Sequence, residues 1–285
     1  MMLAGGSFCG AADAEEPRVA WKPEWRRFDW IEGVATAGLI TASFVEDKYL
    51  DGQSAPRWTG AFLFDNQFRA VFRGRSDHAQ QVATKYADIG YATLSFFPYF
   101  DVAIAFGVHR SPDVALQMFL IDAQSFGVTA SVTTFTKWIV ARQRPYARGC
   151  APGDTVGIHG CGTSYDNTGF FSGHTSASFT GAALTCVHHQ HLPLYGSALA
   201  DGWACAWAIT GATATAAMRM VSDDHYLSDV LAGAALGILS GYVLPSALHY
   251  GFGRKTKAAI GGAMQMVPTL MPVEGGLGFG VAGLL

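Results

Sequence analysis

The chain has 285 residues, half of them apolar and only 14% charged, with a formal net charge of −3. Ordinary soluble domains carry about 25% charged residues, so this chain either buries a large core or meets lipid. The small negative charge argues against a nucleic-acid partner, and the 34 glycines follow no fibrous or low-complexity period.

Residues 1–27 read as an irregular N-terminal tail. Ala12-Asp13-Ala14 fits the small-x-small rule of a signal-peptide cleavage site, so the tail is expected to be a signal remnant, although no basic segment precedes it. A first apolar helix is predicted over 28–47, and a Gly-, Asp- and Pro-containing loop follows. Residues 61–86 mix apolar positions with Arg, Asp and Gln at the spacing of an amphipathic surface helix. Two longer helices are predicted over 86–107 and 112–141, with Ser111-Pro112-Asp113 as a helix start. Residues 145–172 form a long Pro- and Gly-containing loop, a length that is usually functional inside a compact domain. Helices then fit 173–190, 200–220 and 226–248. From 251 to 285, Gly turns and partial alternation suggest a short β-hairpin.

The expected fold is therefore all-α, a bundle of about six main helices spanning 28–250, with a β-hairpin-like tail at 251–285. The stretches 202–218 and 230–248 come nearest to the ~20 apolar residues of a membrane span. Their Ala-, Thr- and Gly-rich composition also suits close helix packing in water, so a soluble or peripheral protein is favoured over an integral one.

Of five cysteines, Cys150 and Cys161 share the Gly-rich loop, while Cys186 and Cys205 lie in consecutive apolar segments. Pairing Cys150 with Cys161 and Cys186 with Cys205 would suit an oxidising, periplasmic compartment.

Three segments combine cations, histidines and a carboxylate. Lys137 and Arg144 are seven residues apart, two turns along one helix face, with Pro145 expected to end that helix. Two cations on an apolar face are costly unless an anion meets them. Ser172 and Gly173 occupy predicted N-cap positions before an apolar helix, where free N–H groups attract anions, and His174 follows in reach of a bound ester. In the third segment Arg219 precedes His225, and Asp229 lies four residues further on, one turn away. A carboxylate on one imidazole nitrogen leaves the other free to attack. Each segment alone has a plain structural explanation: snorkelling cations, a capped helix, an ordinary first turn. His188, His189 and His191 read as a solvated helix end rather than a metal site. Asp223 and Asp224 read as first-turn carboxylates.

Together the three segments resemble the signature motifs of the type 2 phosphatidic acid phosphatase superfamily, which includes bacterial acid phosphatases and vanadium haloperoxidases. The family pattern Lys-x6-Arg-Pro, Pro-Ser-Gly-His, Ser-Arg-x5-His-x3-Asp is met except that Phe171 and Met218 replace a Pro and a Ser. The resemblance implies a metal-independent phosphatase acting on a lipid phosphate, a prenyl diphosphate or a small phosphomonoester. His225 would be the nucleophile, Asp229 its orienting carboxylate and His174 the acid–base. Lys137, Arg144, Ser172, Gly173 and Arg219 would bind the phosphate. It implies no cofactor, with vanadate able to bind as a phosphate mimic. Two alternatives remain open from the sequence: a vanadate-dependent haloperoxidase, and a non-catalytic helical membrane or scaffold protein.

Overall fold

The computed structural model describes residues 19–50, 52–251, 265–273 and 276–284; the signal-like segment lies outside them. The described residues form seven α-helices, so the fold is all-α with a strand pair at its end. A capping box of Asp29 and Glu32 opens α1 (Trp30–Tyr49). The single helix expected over 61–86 is two: α2 (Asp65–Phe72) stops before Gly74-Arg75-Ser76, and Ser76 caps α3 (Asp77–Gly107). The break is held by the Gly74 N–H, which donates to the Val221 carbonyl at 2.9 Å. Pro112 opens α4 (Pro112–Val140). This helix ends five residues before Pro145, because Ala141 takes a left-handed conformation at φ 43°.

The loop that follows carries a two-residue hairpin, β1 (Thr155–Val156) with β2 (His159–Gly160), and a 3-10 turn at Ser164–Asn167. Next come α5 (Gly173–His191), α6 (Ala198–Val221) and α7 (Leu227–Ile238), which continues through π-helical turns to Tyr250. Disulfides join Cys150 to Cys161 within the loop and Cys186 to Cys205 between α5 and α6. The C-terminal unit, residues 251–285, contains the antiparallel pair β3 (Gln265–Val273) and β4 (Gly276–Leu284).

Helix α5 is the axis of the helical unit, packed against α3, α4, α6 and α7. Its Gly, Ala, Ser and Thr residues permit that: small side chains let several helix backbones approach at once. Gly233, Gly237 and Gly241 of α7 recur one turn apart against it. A Cβ on these glycines would lie 2.8, 2.5 and 2.4 Å from the carbonyl oxygens of Ser172, Ser176 and Thr180. Further along, Met118, Ile121, Leu184, Val187 and Leu192 form the apolar core. Residues 19–27, expected in a tail, belong to that core: Trp21 and Trp25 are buried and their rings pack on Tyr250 at 5.3 and 5.0 Å.

Two of the three histidines at the end of α5 are not solvated, and His191 is half-buried. His188 is fully buried, its ring bonded to Asp122 and the Tyr250 hydroxyl at 2.8 and 2.7 Å. His189 sits between Asp201 and Asp101 at 2.6 and 3.3 Å. The carboxylate partners come from α3, α4 and α6, so the local run of histidines held no sign of them. Helix α3 and the stretch Leu227–Tyr250 are long and apolar enough to cross a membrane.

Candidate active site

Four helix ends converge on one site. Lys137 lies in the last turn of α4, Ser172 and Gly173 begin α5, Arg219 lies in the last turn of α6, and His225 immediately precedes α7. Because α4 stops at Val140, Lys137 and Arg144 do not share a helix face as expected. Arg144 reaches the site from the extended chain beyond the helix. Its Nε and Nη2 donate to the Tyr165 carbonyl and the Thr168 hydroxyl, and its guanidinium stacks on the Tyr165 ring at 4.0 Å.

His225 is buried, and its tautomer follows from its partners. Nδ1 lies 2.7 Å from the Gly169 carbonyl, which can only accept, so Nδ1 carries the proton. Nε2 lies 3.2 Å from Arg144 Nη1, which can only donate, so Nε2 presents its lone pair. Burial, with Arg144, Arg219 and Lys137 close by, holds the ring well below the ordinary histidine range. The expected partner Asp229 is 3.8 Å from Nδ1. It accepts instead from the Tyr226 N–H at 2.8 Å and from Arg142. His225 precedes the helix rather than lying in its first turn, which opens the one-turn distance. The Gly169 carbonyl therefore does the orienting assigned to Asp229, and backbone carbonyls leave no mark in a motif.

Arg142 was also missed. It is fully buried, bonded to Asp229, to Asp65 at 2.7 Å and to the Gly60 carbonyl at 3.0 Å. It lies between the Trp58 and Tyr226 rings, 3.9 and 4.5 Å from their centroids. Its signal was an extra arginine two residues before Arg144, just beyond a helix with few charges. Asp65 completes the layer by accepting from the Ser228 N–H at 2.8 Å.

Asp223 and Asp224 are not exposed first-turn residues. Both are buried and precede α7. Asp224 pairs with Arg219 at 3.1 Å and Arg144 at 3.5 Å, and with His159 of β2 at 2.8 Å. Against the opposing effect of burial, Arg219, the His159 hydrogen bond and Arg144 hold its carboxyl well below the usual range. Asp223, at φ 62°, pairs with Arg69 at 2.6 Å and Arg73 at 3.1 Å.

Gly173 adjoins Lys137: a Cβ there would stand 3.2 Å from Nζ, so glycine lets the ammonium approach the start of α5. Lys137 is partly exposed as a residue, but protein surrounds its ammonium. That burial, with Arg144 and Arg219 adding repulsion, lowers it to about 7. The Ser172 hydroxyl caps α5, taking the Thr175 N–H at 3.4 Å and the Thr175 hydroxyl at 2.9 Å. His174 Nε2 lies 2.8 Å from Asp88 of α3, a partner the motifs did not indicate. Burial and Arg219 lower His174 to about 4 against the opposing pull of Asp88. Arg219 Nε is buried without a hydrogen-bond partner.

Arg144, Arg219 and Lys137 thus face one histidine lone pair with fewer carboxylates than cations, an arrangement suited to an anionic group. Residues 120–252 match the family model described as the PAP2 superfamily. No curated protein and no solved structure matches the chain. The matched segment carries Lys137, Arg144, Ser172, Gly173, His174, Arg219, His225 and Asp229, and over it the chain is similar to the PAP2 superfamily.

Proposed function

We propose that this protein is a phosphatase that hydrolyses a phosphate or diphosphate ester through a phosphohistidine on His225, without a cofactor or metal. One observation carries the reading: the Nε2 lone pair of His225, fixed by the Gly169 carbonyl, faces the cations of Arg144, Arg219 and Lys137. In the first step Nε2 attacks phosphorus as the ester P–O bond breaks, and His174 gives its proton to the leaving oxygen. In the second, His174 takes a proton from water, the oxygen attacks phosphorus, and the P–N bond breaks to restore His225. Acid–base assistance of this kind is worth about 10²–10⁴-fold. The three cations, with the N–H groups at the start of α5, neutralise the phosphoryl oxygens as their charge shifts. Asp229 acts through Arg142 and the Tyr226 N–H to hold the start of α7.

An amphipathic substrate is supported by the site's rim. Trp58 packs on Phe170 at 5.6 Å, and Phe62, Leu63 and Phe64 stand exposed beside it in the chain. We infer a lipid phosphate or prenyl diphosphate in preference to a small phosphomonoester. The two disulfides and the many exposed apolar side chains support an extracytoplasmic location with access to lipid.

The test is phosphate release from p-nitrophenyl phosphate and from phosphatidate vesicles in EDTA. His225→Ala is expected to abolish both, and acid quenching of the wild type should trap an acid-labile phosphoprotein. Activity that survives in His225→Ala, or that needs added metal, would refute the reading. Bromination requiring vanadate and peroxide, with no phosphate release, would establish the haloperoxidase instead.

A further inference from the structure

A second basic recess lies beside the site and plays no part in the mechanism above. It is a cleft of about 480 Å³ between α2 and the start of α3, lined by Arg69, Arg73, Arg75, Ser76, Gln80 and one carboxylate, Asp77, among others. Arginine suits phosphate because its planar fork donates two parallel hydrogen bonds. Arg69 and Arg73 are already paired with Asp223, but Arg73 is 46% exposed at the side chain and makes its contact through Nε. No hydrogen bond engages its terminal nitrogens among the described residues, and Arg75 is exposed with no ion pair there. The start of the 31-residue α3 opens on the same cleft and adds the positive end of a long helix.

A further observation concerns Gln80. It is 3% exposed, its amide nitrogen donates to the Gly74 carbonyl at 3.0 Å, and its Oε1 is buried without a partner. Gly157, in the turn of the β1–β2 hairpin, would place a Cβ 3.2 Å from that Oε1. That oxygen is enclosed against the hairpin turn, so what the cleft offers a ligand is its arginines, set against the single carboxylate of Asp77. Arginine forks beside a helix start suit the anionic oxygens of a phosphate group.

We propose that this cleft is a second phosphate-binding subsite, taking either the second phosphate of a bisphosphorylated substrate or a free phosphate ion. The inference rests on the phosphatase reading of the first site. The link between the two sites is short. Asp223, held by Arg69 and Arg73, is two residues from His225, at most ~7 Å of extended chain. An anion that draws on Arg73 changes the pairing of Asp223 and so reaches the segment that presents the nucleophile.

The test compares the wild type with Arg75→Glu, which lies outside the catalytic cradle, and with the double variant Arg73→Gln/Arg75→Glu, which also frees Asp223 from one of its two arginines. Equilibrium dialysis with radiolabelled inorganic phosphate is expected to give two sites per chain in the wild type and one in the double variant. In parallel, KM is measured for a sugar monophosphate and the matching bisphosphate. A rise of about 10-fold in KM for the bisphosphate alone, about 1.4 kcal/mol of binding, identifies the occupant as the substrate's second phosphate. Loss of one dialysis site with both KM values unchanged identifies it as free phosphate. One site in every protein with both KM values unchanged overturns the proposal. The phosphatase reading is judged separately, by monophosphate hydrolysis in the wild type and its loss in His225→Ala.

Discussion

Lys137 should cost the folded protein stability at neutral pH, and its replacement by an uncharged side chain of similar length should return it. Its ammonium is lowered from an ordinary 10.5 to about 7, first by burial and then by Arg144 and Arg219. At 1.36 kcal/mol per unit that displacement corresponds to roughly 4 kcal/mol at pH 7. Lys137 is partly exposed, and water with side-chain movement recovers much of this penalty. Lys137→Met is therefore expected to stabilise the protein by about 1–2 kcal/mol, or roughly 3–6 °C in Tm, while raising KM for any phosphoester. The sign with pH is fixed. Between about pH 7 and 10.5 the unfolded chain holds the proton and the folded protein does not, so wild-type stability rises with pH relative to the variant. The advantage of Lys137→Met should be largest at or below pH 7 and close as pH approaches 10.5. Calorimetric Tm values for both proteins at unit pH steps from 6 to 10 measure it. A variant less stable than wild type, or a gap that does not narrow with pH, would refute the electrostatic argument.

Replacing Arg142 with Leu leaves Asp65 and Asp229 buried without their cation, so urea unfolding should show a loss of about 3–5 kcal/mol. Asp88→Asn removes the carboxylate from His174. It should lower kcat about 10-fold for an alkyl phosphate, whose leaving oxygen needs a proton, and hardly change it for p-nitrophenyl phosphate, which does not; equal effects on both would deny Asp88 this positioning role. Gly237→Ala introduces a Cβ 2.5 Å from the Ser176 carbonyl and 2.6 Å from the Phe179 Cβ. The displaced helix should cost about 1–3 kcal/mol in chemical denaturation and reduce kcat.

The parts of the fold that follow a local period were legible in the sequence. Composition and spacing placed six long helices, and Ser172 was readable as the cap of α5 because a capping residue and its helix adjoin. The motif spacings also led to residues that meet in space. What stayed hidden was set by distant chain. The end of α4 depends on a left-handed Ala141, a conformation its residue type does not advertise. The burial of His188 and His189 depends on Asp122, Asp101 and Asp201, brought in by other helices. The orientation of His225 depends on a carbonyl 56 residues away. Asp229 stands four residues from His225 but serves Arg142, since the start of α7 falls between them.

The glycines of α7 bear on how such a protein can change over time. Ser172 and His225 sit at the starts of two helices whose separation is set by main chain resting on main chain, with Gly233, Gly237 and Gly241 as the points of contact. The gauge of the catalytic centre is thus independent of which side chains fill the apolar core or face outward. On the proposed phosphatase reading, outer helices and the 145–172 loop can change, exchanging one substrate's apolar portion for another, while the distance over which a phosphoryl group would travel stays the same. Diversity of substrate and constancy of chemistry then have a common origin in three missing methyl groups.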